Sequence, residues 1–263
     1  MIALSLSDIQ LIQKIAQEAG QAIMQVYEQP TANWQLEQKA DDSPLTLADQ
    51  RSNAIICQAL ACHWPEIPII SEEEQIAPYE ERKDYRYCWL IDPLDGTREF
   101  VHRNGEFAIN IALVERGEVI FGLLYAPLNQ DLYWAQKGEG AYLLEEGEYK
   151  RIWASSFSFE QQGLRVLGSR SHLRPATTAY IQSLNQPQFM AKGSALKFMA
   201  LAQGQADIYP RLGPTMEWDT AAPQIILQEA GGQILDWESR KPLRYNKADL
   251  HNPHFMAQGK EEQ

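Results

Sequence analysis

The chain has 263 residues, 44% of them hydrophobic and 22% charged, with a formal net charge of -12. Such a chain can bury a large core and needs neither a disulfide nor a structural metal to stay folded. The acidity excludes a general binder of nucleic-acid backbones, which is normally basic, but not a site for small phosphorylated ligands, because bound divalent cations reverse the local field of an acidic cluster.

The opening stretch predicts a helix: Ser7 with Gln10 reads as a capping box, and Ile9, Ile12, Ala16, Ala19, Ile23 and Val26 recur at helical spacing before a stop at Pro30. Residues 31–44 are polar and irregular, and Lys39-Ala-Asp-Asp-Ser-Pro44 reads as a loop. A second helix is predicted from about Leu47 to Cys62, with Ile55, Ile56, Ala59 and Leu60 on its apolar side. The period then changes. Ile67 to Ile70 and Tyr85 to Ile91 read as short buried strands, each ending on acidic residues. Phe107 to Val114 and Val119 to Ala126 form a hairpin across Arg116-Gly117, and Leu132 to Ala135 pairs with Gly140 to Leu144 around Lys137-Gly138. Helix, helix and a run of antiparallel strands make an α+β pattern.

The second half alternates. Leu164 to Gly168 is a predicted strand, 175–184 a helix, and Ala195 to Gln203 a helix stopped by Gly204. Ala206 to Tyr209 is a strand, Trp218 to Ala230 a helix closed by Gly231-Gly232, and Gln233 to Asp236 the last clear strand. There is no repeat and no flexible linker. A soft boundary at 150–163 gives an N-terminal half, 1–155, and a C-terminal half, 156–263, expected to pack as one compact unit. The three cysteines, Cys57, Cys62 and Cys88, are an odd number without framework spacing, which suits reduced thiols in the cytoplasm. No apolar run approaches the roughly 20 residues of a membrane span, and no signal peptide is evident.

Residues 89–100 read WLIDPLDGTREF. An apolar run stops on Asp92, and Asp95 follows three residues later. Pro93 fixes the backbone and Gly96 permits a sharp turn, so both carboxylates can project to one side. Like charges held that close repel and shift each other's pKa unless a cation sits between them, and magnesium is the natural guest for hard oxygen ligands. Alone, the motif is better explained by a turn at a strand end. Asp219, after Gly213-Pro-Thr-Met-Glu-Trp218, could be an ordinary helix cap, as could Asp49 with Thr46. Glu72 and Glu73, however, also follow a buried strand directly, while Glu74, Glu80 and Glu81 read as solvated loop charges. A phospho-aspartyl mechanism of the D-x-D-G-T kind fails, because the position that needs the nucleophilic carboxylate is Pro93.

Taken together, Glu72-Glu73, Asp92-Pro-Leu-Asp-Gly-Thr97 and Trp218-Asp-Thr-Ala-Ala222 resemble the signature of the inositol monophosphatase superfamily, magnesium-dependent, lithium-sensitive phosphomonoesterases. The match runs in order along nearly the whole chain. Within that superfamily, Lys39 to Thr46, Arg98-Glu-Phe100, Arg103-Asn-Gly-Glu-Phe107, Gly193-Ser-Ala-Leu-Lys197 and Tyr209-Pro-Arg-Leu-Gly-Pro214 are most similar to the bisphosphate nucleotidases.

The resemblance implies a layered α-β-α-β-α sandwich. It also implies hydrolysis of 3'(2')-phosphoadenosine 5'-phosphate to AMP and phosphate, a reaction tied to sulfate assimilation. Glu72, Asp92 and the Leu94 carbonyl would hold one Mg2+, Asp92, Asp95 and Asp219 a second, and Glu73 with Asp49 a third, weaker one. Thr97, held by Asp49, would orient the attacking water and take its proton. Backbone amides of Gly96 and Thr97 and the start of the Trp218 helix would donate to the scissile phosphate. Ser194, Lys197 and Arg211 would bind the phosphate that is not cleaved, with His172 near the nucleotide. Without the family, Lys197 reads more readily as a solvated helix residue and Arg211 as a partner of Glu217. His251 and His254 read as loop residues. The implied partner is a nucleotide bisphosphate rather than a nucleic-acid polymer. The implied location is cytoplasmic, without an integral membrane segment but with room for peripheral contact at the inner face of the membrane. The main alternative is an inositol 1-monophosphatase or related sugar phosphatase. A catalytically silent nucleotide-binding protein carries less weight, since every acid of the signature is intact.

Overall fold

Helix α1 (Leu6–Tyr27) starts on Ser5 rather than Ser7 in the computed structural model, which describes residues 4–38, 44–145, 147–170 and 174–262. Ser5 Oγ accepts from the Asp8 amide (3.2 Å) while the Asp8 carboxylate accepts from the Ser5 amide (2.8 Å). An ionised carboxylate at the third position makes a stronger bond and suits the positive helix end, which neutral Gln10 does not. Helix α2 (Leu47–His63) starts where the spacing predicts, with Thr46 and Asp49 closing the capping box.

The large sheet takes its strands in chain order: β1 (Ile69–Ser71), β2 (Tyr87–Asp95), β3 (Ala108–Glu115), β4 (Glu118–Ala126), β5 (Asp131–Gln136), β6 (Gly140–Glu145) and β7 (Glu148–Arg151). Only the β1–β2 pair is parallel. The central strands are apolar on both sides because both faces are covered. Trp89, Ile91, Ile109 and Ile111 pack with Ile12, Ile23, Ile56 and Leu60 of α1 and α2. Their alternates, Leu90, Ala108, Ala112 and Val114, pack with Phe198 and Met199 of α5 (Leu196–Ala202) and with Ala222 and Ile225 of α6 (Ala221–Glu229). Gly122 makes the close approach of α6 possible: a Cβ there would stand 2.7 Å from the Ala222 carbonyl oxygen.

The second sheet has the order β9-β8-β10-β12-β11, from β8 (Arg165–Gly168), β9 (Gln188–Ala191), β10 (Ile208–Arg211), β11 (Gln233–Asp236) and β12 (Phe255–Gln258). Strand β11 is therefore not the last. Phe255–Gln258 lies between β10 and β11, antiparallel to both, a pairing supplied by its neighbours and not signalled by four residues without alternation. Leu167, Tyr209 and Phe255 face the inner helices. Val166, Ile208 and Met256 face Ile181 of α4 (Pro175–Gln182). The layers are thus α1/α2, sheet, α5/α6, sheet, α4, the α-β-α-β-α sandwich. Two short helices not expected from periodicity, Tyr79–Arg82 and α3 (Thr97–Val101), complete the first half. Among the described residues, no helix is long and apolar enough to cross a membrane.

Candidate active site

Strand β2 does not stop at the acidic motif; it runs through it to Asp95. Asp92 pairs with Asn110 and Asp95 with Ala108, so three steps on β2 oppose two on β3. That extra residue is a bulge, the usual device for re-aiming side chains beside a site. It falls between Asp92 and Asp95, a stretch that includes Pro93, which has no N–H to give the ladder. The Pro93 carbonyl accepts instead from Ser52 Oγ on α2 (2.7 Å), and the Leu94 amide donates to Asp92 Oδ1 (3.0 Å). Gly96 then turns the chain with φ +93, where a Cβ would stand 2.8 Å from the Glu106 carbonyl oxygen. Only glycine fits.

Glu72, immediately after β1, Asp92 on the bulge, and Asp219, which ends the 3-10 turn Glu217–Asp219, bring carboxylate oxygens within 4.8 Å of one another. The helix expected from Trp218 starts only at Ala221, so that turn, not an α-helical N-terminus, carries Asp219. Asp219 does act as a cap, accepting from the Met216 amide (2.8 Å). Capping cannot be the whole account. Such a bond contributes about 1 kcal/mol, whereas two carboxylates about 4 Å apart at an effective dielectric near 20 repel by about 4 kcal/mol. Burial, followed by the charges of Glu72, Asp95 and Asp219, pushes the Asp92 carboxyl well above the ordinary carboxylate range. Burial with Asp95 and Glu72 does the same to Asp219. A set of hard oxygen donors that repel one another, with Asp92 buried and Glu72 and Asp219 half-buried, fits a divalent cation such as Mg2+.

Asp95 stands beside this trio. One of its oxygens accepts from the Ala195 amide. Burial raises its carboxyl to about 6, against the opposing pull of Lys197. Glu73 is half-buried in the same turn as Glu72. Asp49 both caps α2 and reaches Thr97: one oxygen accepts from the Thr46 amide (2.7 Å) and hydroxyl (2.6 Å), and the other lies 3.0 Å from Thr97 Oγ1. The cap locks the carboxylate so that its second oxygen can hold the Thr97 hydroxyl, which also lies 3.2 Å from the Leu94 carbonyl oxygen.

The second group of expected residues forms a cationic corner. Lys197 is not solvated: it is 5% exposed, and its ammonium donates to the carbonyls of Ser194 (2.6 Å) and Lys192 (3.3 Å). Burial lowers its pKa to about 8, with Asp95 opposing and Arg211 assisting. Nor does Arg211 pair with Glu217. The buried Glu217 is taken by the Lys247 side chain and by the amides of Asn246 and Lys247. Arg211 donates to the Pro214 carbonyl (2.9 Å), while its Nε is buried without a partner among the described residues. Two cations held together around an unsatisfied donor suit an anion. His172 lies outside the described residues. His251 is exposed and hydrogen-bonded to Asp249.

Sequence reasoning missed the residues that hold the acidic turns. Asn53 Nδ2 donates to Glu74 (2.7 Å) and its Oδ1 accepts from Ser71 Oγ (2.7 Å), so one amide pins the turn of Glu72 and Glu73 from both sides. Glu74 is therefore more than a solvated loop charge. Asp49, Ser52 and Asn53 fall at i, i+3 and i+4 of α2, a polar stripe visible in the sequence only as a gap in the apolar pattern.

A sequence model of the Inositol monophosphatase family matches residues 7–262. The 3'(2'),5'-bisphosphate nucleotidase CysQ of Salmonella typhimurium is 42% identical over 245 residues, covering 93% of this chain and 96% of that protein. The protein of the same name from Escherichia coli K12 is 41% identical over the same shares. The solved structure of CysQ from Bacteroides thetaiotaomicron, described as a bacterial member of the inositol monophosphatase family, is 36% identical and superposes with a TM-score of 0.84, covering 97% of this chain and 98% of that one. A Thermotoga maritima IMPase shares the fold at 24% identity and a TM-score of 0.78, over 96% of this chain and 92% of that one.

Proposed function

The chain belongs to the inositol monophosphatase family, and from that premise we propose that it is a magnesium-dependent phosphomonoesterase converting 3'(2')-phosphoadenosine 5'-phosphate to AMP and phosphate. One observation carries the reading. The Gly193-to-Lys197 loop joins two sites of opposite charge, since its Ala195 amide caps Asp95 of the acidic site while Lys197 stands with Arg211 in the cationic corner. A substrate with two phosphates fills both. The identity to the bisphosphate nucleotidases over 93% of the chain supports the same choice.

Glu72, Asp92 and the Leu94 carbonyl would hold one Mg2+, and Asp92, Asp95 and Asp219 a second, with Glu73 and Asp49 at the edge of a third. When bound, the ions supply charge neutralisation at the phosphate and acidify the attacking water. The protein supplies position. Thr97 accepts the water's proton at Oγ1 and passes its own to Asp49 Oδ1, 3.0 Å away. The amides of Gly96 and Thr97 face the cleaved phosphate. Ser194, Lys197 and Arg211 hold the other one.

A substitution separates the two sites. Lys197→Ala raises KM for 3'-phosphoadenosine 5'-phosphate by about tenfold or more, the loss of one charged hydrogen bond. For 3'-AMP, which lacks the second phosphate, the change is much smaller. Steady-state kinetics on both substrates check this; equal changes would remove Lys197 from the second phosphate site.

A further inference from the structure

We propose that Glu106, paired with Arg170, is a positioning residue that shapes the 193–197 loop into the second phosphate site and so sets the preference for a bisphosphate over a monophosphate. The inference rests on the reading that Ser194 and Lys197 hold the uncleaved phosphate. Glu106 lies just before β3, outside the trio of acids. Its Oε2 accepts from the Gly193 amide (2.7 Å) and from Arg170 Nε (3.2 Å), and its Oε1 accepts from Arg170 Nη2 (2.8 Å). Arg170 Nη2 also reaches the Ala191 carbonyl (3.3 Å), tying the end of β9 to the same carboxylate.

Two carboxylates therefore grip one short loop: Glu106 through the amide of residue 193, and Asp95 through that of residue 195. Between them Ser194 sits at φ +46, a left-handed conformation that costs a non-glycine residue about 1 kcal/mol or more and persists only where its surroundings over-determine it. Gly193 allows the grip, because a Cβ there would stand 2.6 Å from Glu99 Cγ and 3.0 Å from Glu106 Cβ. The strained turn aims the Ser194 carbonyl at the Lys197 ammonium. Release of the Glu106 end removes one of the two restraints on Ser194, and so loosens the nearer of the two carbonyls that place the Lys197 charge. The Asp95 end and the acid cluster keep their own supports, so the cleaving half stays intact.

The test compares wild type, Glu106→Ala, Glu106→Gln and Arg170→Met with Mg2+ on 3'-phosphoadenosine 5'-phosphate and on 3'-AMP. Loss of a charged hydrogen bond predicts that Glu106→Ala lowers kcat/KM for the bisphosphate about tenfold, through KM, and changes 3'-AMP turnover by less than about twofold. Glu106→Gln, whose amide oxygen can still accept from Gly193, and Arg170→Met fall between. Parallel losses on both substrates, or none on either, overturn the proposal. Hydrogen exchange supplies a readout that needs no substrate: the amides of residues 193–197 exchange faster in Glu106→Ala, and unchanged exchange overturns the anchor. A wild type with no preference for the bisphosphate would instead remove the phosphate site on which the proposal stands, and the exchange measurement separates that failure from a failure of the anchor.

Discussion

Asp92→Asn leaves less than about 1% of wild-type turnover, a loss beyond the 10- to 100-fold typical of residues that only support a metal's ligands. Asp92 is the shared member of the proposed metal set and is 1% exposed, so no solvent-side group can take its place. Asparagine preserves its shape and can still accept from the Leu94 amide. What disappears is the charge. The same substitution has the opposite effect on the ion-free protein. The folded-state pKa of Asp92 is raised by burial and by Glu72, Asp95 and Asp219, so its contribution to stability is fully present below the ordinary carboxylate range and is lost as pH rises toward the folded value. At pH 8, with metal chelated, the variant therefore melts above wild type, and the gap closes as pH falls. Added Mg2+ reverses the order. Thermal melts with chelator and with Mg2+, beside a phosphate-release assay, read both effects; near-normal turnover in the variant would falsify the metal assignment.

Thr97→Val lowers kcat by about 10²- to 10⁴-fold, the usual worth of a positioned proton acceptor. KM and Mg2+ dependence change little, because valine matches threonine in shape and the acid cluster is untouched. Thr97→Ser keeps the hydroxyl beside Asp49 and retains most of the activity. Single-turnover phosphate release distinguishes the variants. A valine variant with wild-type kcat would show that the hydroxyl 3.0 Å from Asp49 takes no part in activating water.

The order of elements was legible where periodicity was strong, as in α1, α2 and the meander from β3 to β6. The bulge in β2 was not, because the apolar pattern ends at Ile91 while the ladder continues on backbone bonds alone. The start of α1 went to Ser5 because two capping signals overlap and the ionised one wins. In the site, the acids at strand ends stood out one by one. Their meeting from residues 72, 92 and 219 is a product of the fold, and only the resemblance brought them together beforehand. Lys197 shows the limit most clearly. A lysine on a short helix reads as solvated, and only the packing of Tyr209 on β10 and of the Lys192 and Ser194 carbonyls around it buries the charge. Glu106 stands within Arg103-Asn-Gly-Glu-Phe107, but its grip on a loop 87 residues away has no local signal at all.

In the proposed function the acidic trio and the cationic corner serve one substrate with two phosphates. Phosphate release from 3'-phosphoadenosine 5'-phosphate and from inositol 1-phosphate, measured side by side with Mg2+ and with chelator, tests it most directly. Charged contacts to the second phosphate worth about 3 kcal/mol predict a kcat/KM about 100-fold higher for the bisphosphate, with turnover of both abolished by chelator. Equal or faster release from inositol 1-phosphate, or turnover of the bisphosphate without any divalent ion, contradicts it.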